Sequence, residues 1–285
     1  MGKDITLVEC PRDAMQGWEH FIPTEKKAAY LNSLLKVGFD VLDFGSFVSP
    51  KAIPQLADTK EVLSQLDMSN TRTKLLAIIA NIRGAEDAVV YDEISYLGFP
   101  FSISETFQKR NTNKTIAESL THVESIQNLC VQNNKEMVVY ISMGFGNPYG
   151  DEYNAAIAID WVGKLAQLGI KTIAMSDTVG VAQPANIEYI FNSLIPEFKD
   201  INIGAHFHST IDTWEEKIQT AYSSGCMRYD SAMKGIGGCP MADDDLVGNI
   251  ATEHILAWAK KNDITLQLNE TAFYESLQMA AEIFV

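Results

Sequence analysis

The stretch AAIAIDWVGKLAQLGIKTIAMS, residues 155–176, decides the fold. Residues 155–168 carry apolar side chains at i, i+3, i+4 spacing, the stripe of an amphipathic helix. Gly169 supplies a helix stop, and the β-branched and apolar run 172–176 reads as a short buried strand. The same alternation extends outward in both directions. Strands are predicted at 5–10, 41–47, 74–79, 93–97, 137–143, 172–176, 201–208 and 227–232, each preceding a segment with helical spacing, and Gly38 and Gly225 end helices as Gly169 does. Eight strand–helix units in this length predict a closed (β/α)8 TIM barrel, an α/β fold, in preference to a doubly wound open sheet. Pro/Gly/Ser linkers, low-complexity runs and internal repeats are absent, so residues 1–285 read as a single catalytic domain. Residues 268–285, with Asn269 as N-cap and Phe273, Leu277 and Ala280 spaced along one face, read as an extra C-terminal helix packed on the barrel.

Of the 285 residues, 46% are hydrophobic and 21% charged, and the net charge is −15. That apolar content supports a full core and argues against a disordered chain. So acidic a surface argues against nucleic-acid or anionic-membrane partners, which need clustered Lys and Arg. An anionic substrate needs a local basic patch. Cys10, Cys130, Cys226 and Cys239 make neither a disulfide framework nor a C-x-x-C zinc pair. No apolar run reaches the ~18 residues of a membrane span. Met1 leads into an apolar strand within about four residues, which leaves no room for a signal or transit peptide. The expected compartment is reducing and cytoplasmic.

Chemistry in a barrel of this type sits just past the C-terminal ends of the strands. The first strand runs into Arg12, Asp13 and Gln16. The second carries Asp43 and leads into Ser46-Phe47-Val48-Ser49-Pro50-Lys51. The third leads to Asn81 and Arg83, the sixth to Asp177 and Thr178, and the last to Gly235-Ile236-Gly237-Gly238-Cys239-Pro240. His206-x-His208 is the sharpest local signal. Alternate strand residues share one face, so both imidazoles can point into one cavity and take adjacent positions on a divalent ion. Asp13 can add a carboxylate and Asn249 a carbonyl oxygen. That mixed N/O shell with open water positions favours Mg²⁺ or Mn²⁺ over zinc. Arg12 can stabilise an oxyanion or enolate oxygen. Cys239 lies in a glycine-rich loop whose φ freedom would let a thiol move in as a lid closes. Cys10, Cys130 and Cys226 read as buried inert thiols.

Pro11-Arg12-Asp13-Ala14-Met15-Gln16, Ser46-Phe47-Val48-Ser49-Pro50-Lys51, His206-Phe207-His208 and Gly237-Gly238-Cys239-Pro240-Met241-Ala242 with Gly248-Asn249 resemble the 3-hydroxy-3-methylglutaryl-CoA lyase family. That family belongs to the metal-dependent lyase and Claisen-condensing TIM barrels. The resemblance covers nearly the whole chain, and the 46–51 and 238–240 motifs are the most specific to the lyase branch. It implies cleavage of 3-hydroxy-3-methylglutaryl-CoA to acetoacetate and acetyl-CoA, as in leucine breakdown. It also implies Asp13, His206, His208 and Asn249 as ligands of Mg²⁺ or Mn²⁺. Arg12, Asp43, His206 and Cys239 are the implied catalytic groups, and Arg12, Gln16 and Lys51 the substrate-binding ones. Related acyl-CoA cleavage or condensation is the alternative, with a non-catalytic barrel behind it. Asp43 stands where the family has glutamate, Val138 where it has arginine, and Ser209 where it has an acid. The 239–249 stretch is one residue longer and carries Asp243-Asp244-Asp245. Lys51, Arg83, Lys109 and Arg110 are the candidate cations for CoA phosphates. A homodimer paired through outer helices is compatible with the fold.

Overall fold

A computed structural model describes residues 5–238 and 247–285. Eight parallel strands form its centre: β1 (Thr6–Glu9), β2 (Val41–Ser46), β3 (Lys74–Ile78), β4 (Ile94–Ser102), β5 (Glu136–Ser142), β6 (Thr172–Asp177), β7 (Asn202–Phe207) and β8 (Arg228–Ser231). They hydrogen-bond in sequence order, and β8 closes onto β1 with Val8 opposite Asp230. This is the (β/α)8 barrel. Its helices are α1 (Pro11–Gln16), α2 (Thr24–Val37), α3 (Thr59–Leu63), α4 (Ile82–Val89), α5 (Glu105–Thr112), α6 (Ile116–Gln132), α7 (Ala155–Gln167), α8 (Pro184–Glu197), α9 (Trp214–Ser223), α10 (Thr252–Lys261) and α11 (Glu270–Ile283). No helix among the described residues is long and apolar enough to cross a membrane.

Local chemistry sets these elements. The Asn154 side chain accepts from Ile157 N to start α7, whose buried stripe is Ala158, Val162 and Leu165. Gly169 ends it at φ +84°, in the left-handed region glycine occupies without strain. Strand alternation then sorts side chains into two layers. Leu7, Leu75, Val139, Ile173, Ile203 and Tyr229 face the helices and build the main core. Val8, Cys10, Val41, Leu76, Val138 and Ala174 cluster inside the barrel.

One strand departs from its predicted length. The segment 93–97 continues as β4 to Ser102, through Gly98 and Pro100, which read as strand breakers. Pairing with β3 ends at Gly98, whereas pairing with β5 runs on to Ser102. Pro100 therefore sits where one side of the strand has no neighbour in the ladder, and its missing N–H costs nothing there. Gly98 is required by packing. A Cβ at that position would lie 2.5 Å from Ile78 Cδ1 and 3.1 Å from Tyr140 Cε2.

The predicted C-terminal helix is α11. Asn269 caps it through Ala272 N, and it lies on α2, joined by a 2.6 Å Ser33–Ser276 hydroxyl contact. Phe284 meets the rings of Trp18 and Tyr30 edge-on at 5.2 and 6.2 Å.

Candidate active site

The site grows from the junction of β1 and α1. Pro11 opens α1 directly after the strand, a position where its fixed φ suits the first helical turn. This brings Arg12 and Asp13 onto the C-terminal mouth of the barrel. The Arg12 guanidinium is nearly saturated. Nε donates to Asp43 Oδ2 at 2.9 Å, Nη2 to the same oxygen at 2.6 Å, and Nη1 to Asp13 Oδ1 at 2.9 Å and Gln16 Oε1 at 2.8 Å. Burial opposes charge on Arg12, but Asp43 and Asp13 more than offset it and hold the guanidinium cationic. Burial pushes the Asp43 carboxyl up to about 6 against the pull of Arg12.

Opposite stand the two histidines, with ring centroids 5.2 Å apart. His206 lies in β7 and His208 just beyond its end. His206 Nδ1 contacts Asp230 Oδ2 at 3.2 Å. Burial works against charge on this ring, yet Asp230 and then Asp13 outweigh it, and its pKa is raised. His208 Nδ1 donates to the Thr178 carbonyl at 3.0 Å. Burial, reinforced by His206, lowers its pKa to about 4, so the ring is neutral at pH 7. With Nδ1 committed, the lone pair resides on Nε2, which is buried and has no hydrogen-bond partner among the described residues.

Asp13, His206 and His208 each offer a ligand atom within 4.8 Å of the others. Burial disfavours charge on Asp13, but Arg12 and the two histidines lower its pKa and keep it a carboxylate. Asn249 stands beside them, its Nδ2 donating to Asp13 Oδ2 at 2.7 Å and to the Ile236 carbonyl at 3.0 Å. Gly237 passes against this amide at φ +106°, where a Cβ would fall 2.5 Å from Asn249 Nδ2. An orphaned imidazole nitrogen, a second imidazole and a carboxylate together fit a divalent cation.

These groups open into a cavity of about 210 Å³ lined also by Gln16, Val48, Tyr140, Ser142 and Ser176. Of the predicted residues, the structure brings together Arg12, Asp13, Gln16, Asp43, His206, His208 and Asn249. Lys51 is exposed on the turn after β2 and does not line the cavity. Cys239 and the acidic triplet 243–245 lie outside the described residues. Val138 sits among Val8, Leu76 and Ala174 inside the barrel and is not part of the cavity wall.

Three buried charges escaped the sequence reading. Asp230 contacts His206, Arg228 Nη1 donates to Asp230 Oδ1 at 2.7 Å, and Lys217 Nζ donates to Asp177 Oδ2 at 2.6 Å. The first two carried a usable signal: charged residues at alternate positions 228 and 230 of a strand point into the barrel. Lys217 offered none, because a helical lysine reads as solvated.

The HMGL-like family model matches residues 5–280. The chain belongs to that family. Across 92% of this HMGL-like chain and 87% of its relative, a hydroxymethylglutaryl-CoA lyase of Bacillus subtilis is 34% identical. The crystal structure of a Bacillus subtilis HMG-CoA lyase superposes with a TM-score of 0.92 at 31% identity, covering 99% of this chain and 94% of that one. An HMG-CoA lyase from Acinetobacter baumannii, in complex with coenzyme A and 3-methylmalate, gives 0.91 at 28% identity over 99% and 91% of the two chains.

Proposed function

We propose that this chain is a divalent-metal-dependent carbon–carbon lyase that cleaves 3-hydroxy-3-methylglutaryl-CoA to acetoacetate and acetyl-CoA. The observation that carries it is the buried Nε2 of His208, without a partner among the described residues, beside His206 and Asp13 at the cavity wall. The substrate named for the relatives supports the acyl group. Asp13, His206, His208 and Asn249 hold the ion, and their mixed nitrogen and oxygen donors favour Mg²⁺ or Mn²⁺. When bound, the ion polarises the C3 hydroxyl oxygen of the substrate and lowers its pKa.

The chain's own groups supply the rest. His206, made more basic by Asp230, and Asp13 are the proton acceptors on the wall where that hydroxyl sits. Proton loss lets the C2–C3 bond break, with its electron pair passing to the thioester as an enolate. Arg12, already aligned by Asp43, Asp13 and Gln16, stabilises the oxygen on which that charge collects. Cys239 is assigned to returning a proton to C2. Gln16 orients Arg12 and borders the acyl group. Lys51, Arg83 and Lys109 follow strand ends at the mouth and are exposed, which suits the phosphates of CoA.

Val138 packs inside the barrel among Val8, Leu76 and Ala174 and does not line the cavity. Cys10, Cys130 and Cys226 are free and buried, in keeping with a reducing cytoplasmic setting. A homodimer is the proposed assembly, checked by light scattering of the purified protein.

The test is chelator-stripped protein incubated with 3-hydroxy-3-methylglutaryl-CoA, with and without Mg²⁺ or Mn²⁺. Metal-dependent acetoacetate is expected. Metal-bound protein that yields none rejects the substrate, and equal yield without metal rejects the mechanism.

A further inference from the structure

We propose that Cys10, His206 and Asp230 form a second cation site inside the barrel, selective for thiophilic divalent ions such as Zn²⁺ or Cd²⁺ and antagonistic to the Mg²⁺/Mn²⁺ centre. A sulfur, an imidazole nitrogen and a carboxylate oxygen from these three residues lie within 4.8 Å of one another. Cys10 and Asp230 are 1% and 2% exposed, and of the three residues His206 is the one that lines the mouth cavity. Cys10 has no part in the reaction assigned above, and among the described residues its Sγ makes a single long contact, 3.9 Å from the Val8 carbonyl. Asp230 keeps one oxygen on Arg228 and turns the other to His206 Nδ1. One carboxylate oxygen and one ring nitrogen thus already converge beside the thiol.

Charge favours a cation at this point. Asp230, Asp43 and Asp13 act on Cys10 against Arg12, with the Arg228 guanidinium the other cation nearby, while burial weighs most against a bare thiolate, so the sulfur loses its proton only as an ion binds. Three carboxylates outnumber two guanidinium groups inside a closed barrel, where charges are weakly screened. A thiolate with an imidazole and one carboxylate is a zinc-type set, unlike the oxygen-richer set of Asp13, Asn249 and the histidines.

The antagonism follows from the valence of one ring. A neutral imidazole has a single nitrogen lone pair. Binding at the lower site forms a metal–sulfur bond and releases the Cys10 thiol proton to solvent, with no change of oxidation state. It also takes the lone pair at His206 Nδ1 and moves the ring proton to Nε2. His206 is then lost as a ligand to the upper centre, and Mn²⁺ there is weakened by about ten-fold or more.

The test titrates Cd²⁺ into metal-free protein while following the ultraviolet cadmium–thiolate charge-transfer band. In parallel, Zn²⁺ is titrated against Mn²⁺-loaded protein, with released Mn²⁺ read by electron paramagnetic resonance. Wild-type protein should give the band at one equivalent and release Mn²⁺. Cys10→Ser and Cys10→Ala should lose the band, keep their Mn²⁺ affinity, and need about ten-fold more Zn²⁺ to release it. A band of full strength in both folded variants, or Mn²⁺ left in place when wild-type protein binds Cd²⁺, would overturn the site. Neither readout needs substrate, so a failure here is distinct from failure of the proposed lyase reaction.

Discussion

Lys217 of α9 donates from Nζ to the backbone carbonyl of His208 at 2.8 Å, so a buried ammonium on the helical layer sets the position of an imidazole that faces the cavity. Its other two donors go to Asp177 Oδ2 at 2.6 Å and the Gly180 carbonyl at 3.0 Å, which uses the full capacity of an ammonium. Between those two anchors lies Thr178, whose carbonyl accepts from His208 Nδ1. Lys217 therefore grips His208 at its main chain and, through the 177–180 turn, at its ring. Lys217→Met should leave the Asp177 carboxylate buried and unpaired, at a cost of about 3–5 kcal/mol. It should also weaken Mn²⁺ binding by about ten-fold. Denaturant melts and Mn²⁺ titration of the folded variant measure the two effects separately. Undiminished Mn²⁺ affinity would make Lys217 a stabilising residue with no hold on the site.

Gly237 is the second lever on that site from outside the ligand set. Its φ of +106° strains any side chain, and a Cβ would press 2.5 Å from Asn249 Nδ2 and 3.0 Å from the Asp13 carbonyl. Gly237→Ala should displace Asn249 and reduce metal affinity about ten-fold or more, while far-ultraviolet circular dichroism stays unchanged. Gly163→Ala, on α7 with only Phe198 Cζ at 3.6 Å from the new Cβ, is the control and should bind metal normally. Equal metal affinity in both variants would show that the 235–237 turn can yield.

The barrel was legible because alternation of period 2 and period 3.6 is written in local residue types, and each strand's neighbours follow from right-handed βαβ connection. The mouth residues were legible for the same reason: once strand ends are known, Arg12, Asp13, His206 and His208 must share one face. Pairing was not. Nothing local in the sequence says that Asp43 turns both oxygens to Arg12. Asp230 and Lys217 come from elements far along the chain from the atoms they hold, and no periodicity encodes such a contact. The length of β4 was missed because Gly98 and Pro100 break strands on local rules, whereas here the absent neighbour beyond Gly98 makes the proline harmless.

Metal dependence can be probed without substrate. Asp13→Asn keeps the side chain's size but leaves one acceptor for the two donors that meet it, Arg12 Nη1 and Asn249 Nδ2, and removes the charge that faces both histidines. Arg12 retains Asp43, so no buried charge is stranded and the melting temperature should move little. Mn²⁺ affinity should fall by about 10–100-fold. His208→Ala should do likewise, since it deletes a buried imidazole nitrogen at the cavity wall that has no protein partner among the described residues. Retained Mn²⁺ binding in either folded variant would remove that residue from the ligand set.

A different buried acid sets the response of stability to pH. Glu9 faces outward from β1 and is fully buried, accepting from Met233 N at 2.8 Å and from Thr252 Oγ1 at 2.5 Å. Burial pushes its pKa up to about 8 from 4.5; the bonds from Thr252 and Met233 pull it back, and the nearby Glu253 charge adds to the rise. The folded state therefore binds more protons than the unfolded state between those two values. The Glu9 contribution to stability is fully present below about pH 4.5 and declines as pH rises, with the loss finished above about 8. Asp43, raised to about 6, adds to the decline only in the lower part of this window. Glu9→Gln should roughly halve the slope between about pH 4.5 and 6, where Asp43 still contributes, and flatten the melting temperature between about pH 6 and 8, ending above wild type at pH 8. Parallel melting curves for both proteins across that upper range would mean that Glu9 is ionised in the fold and that a cation or water outside these contacts compensates it.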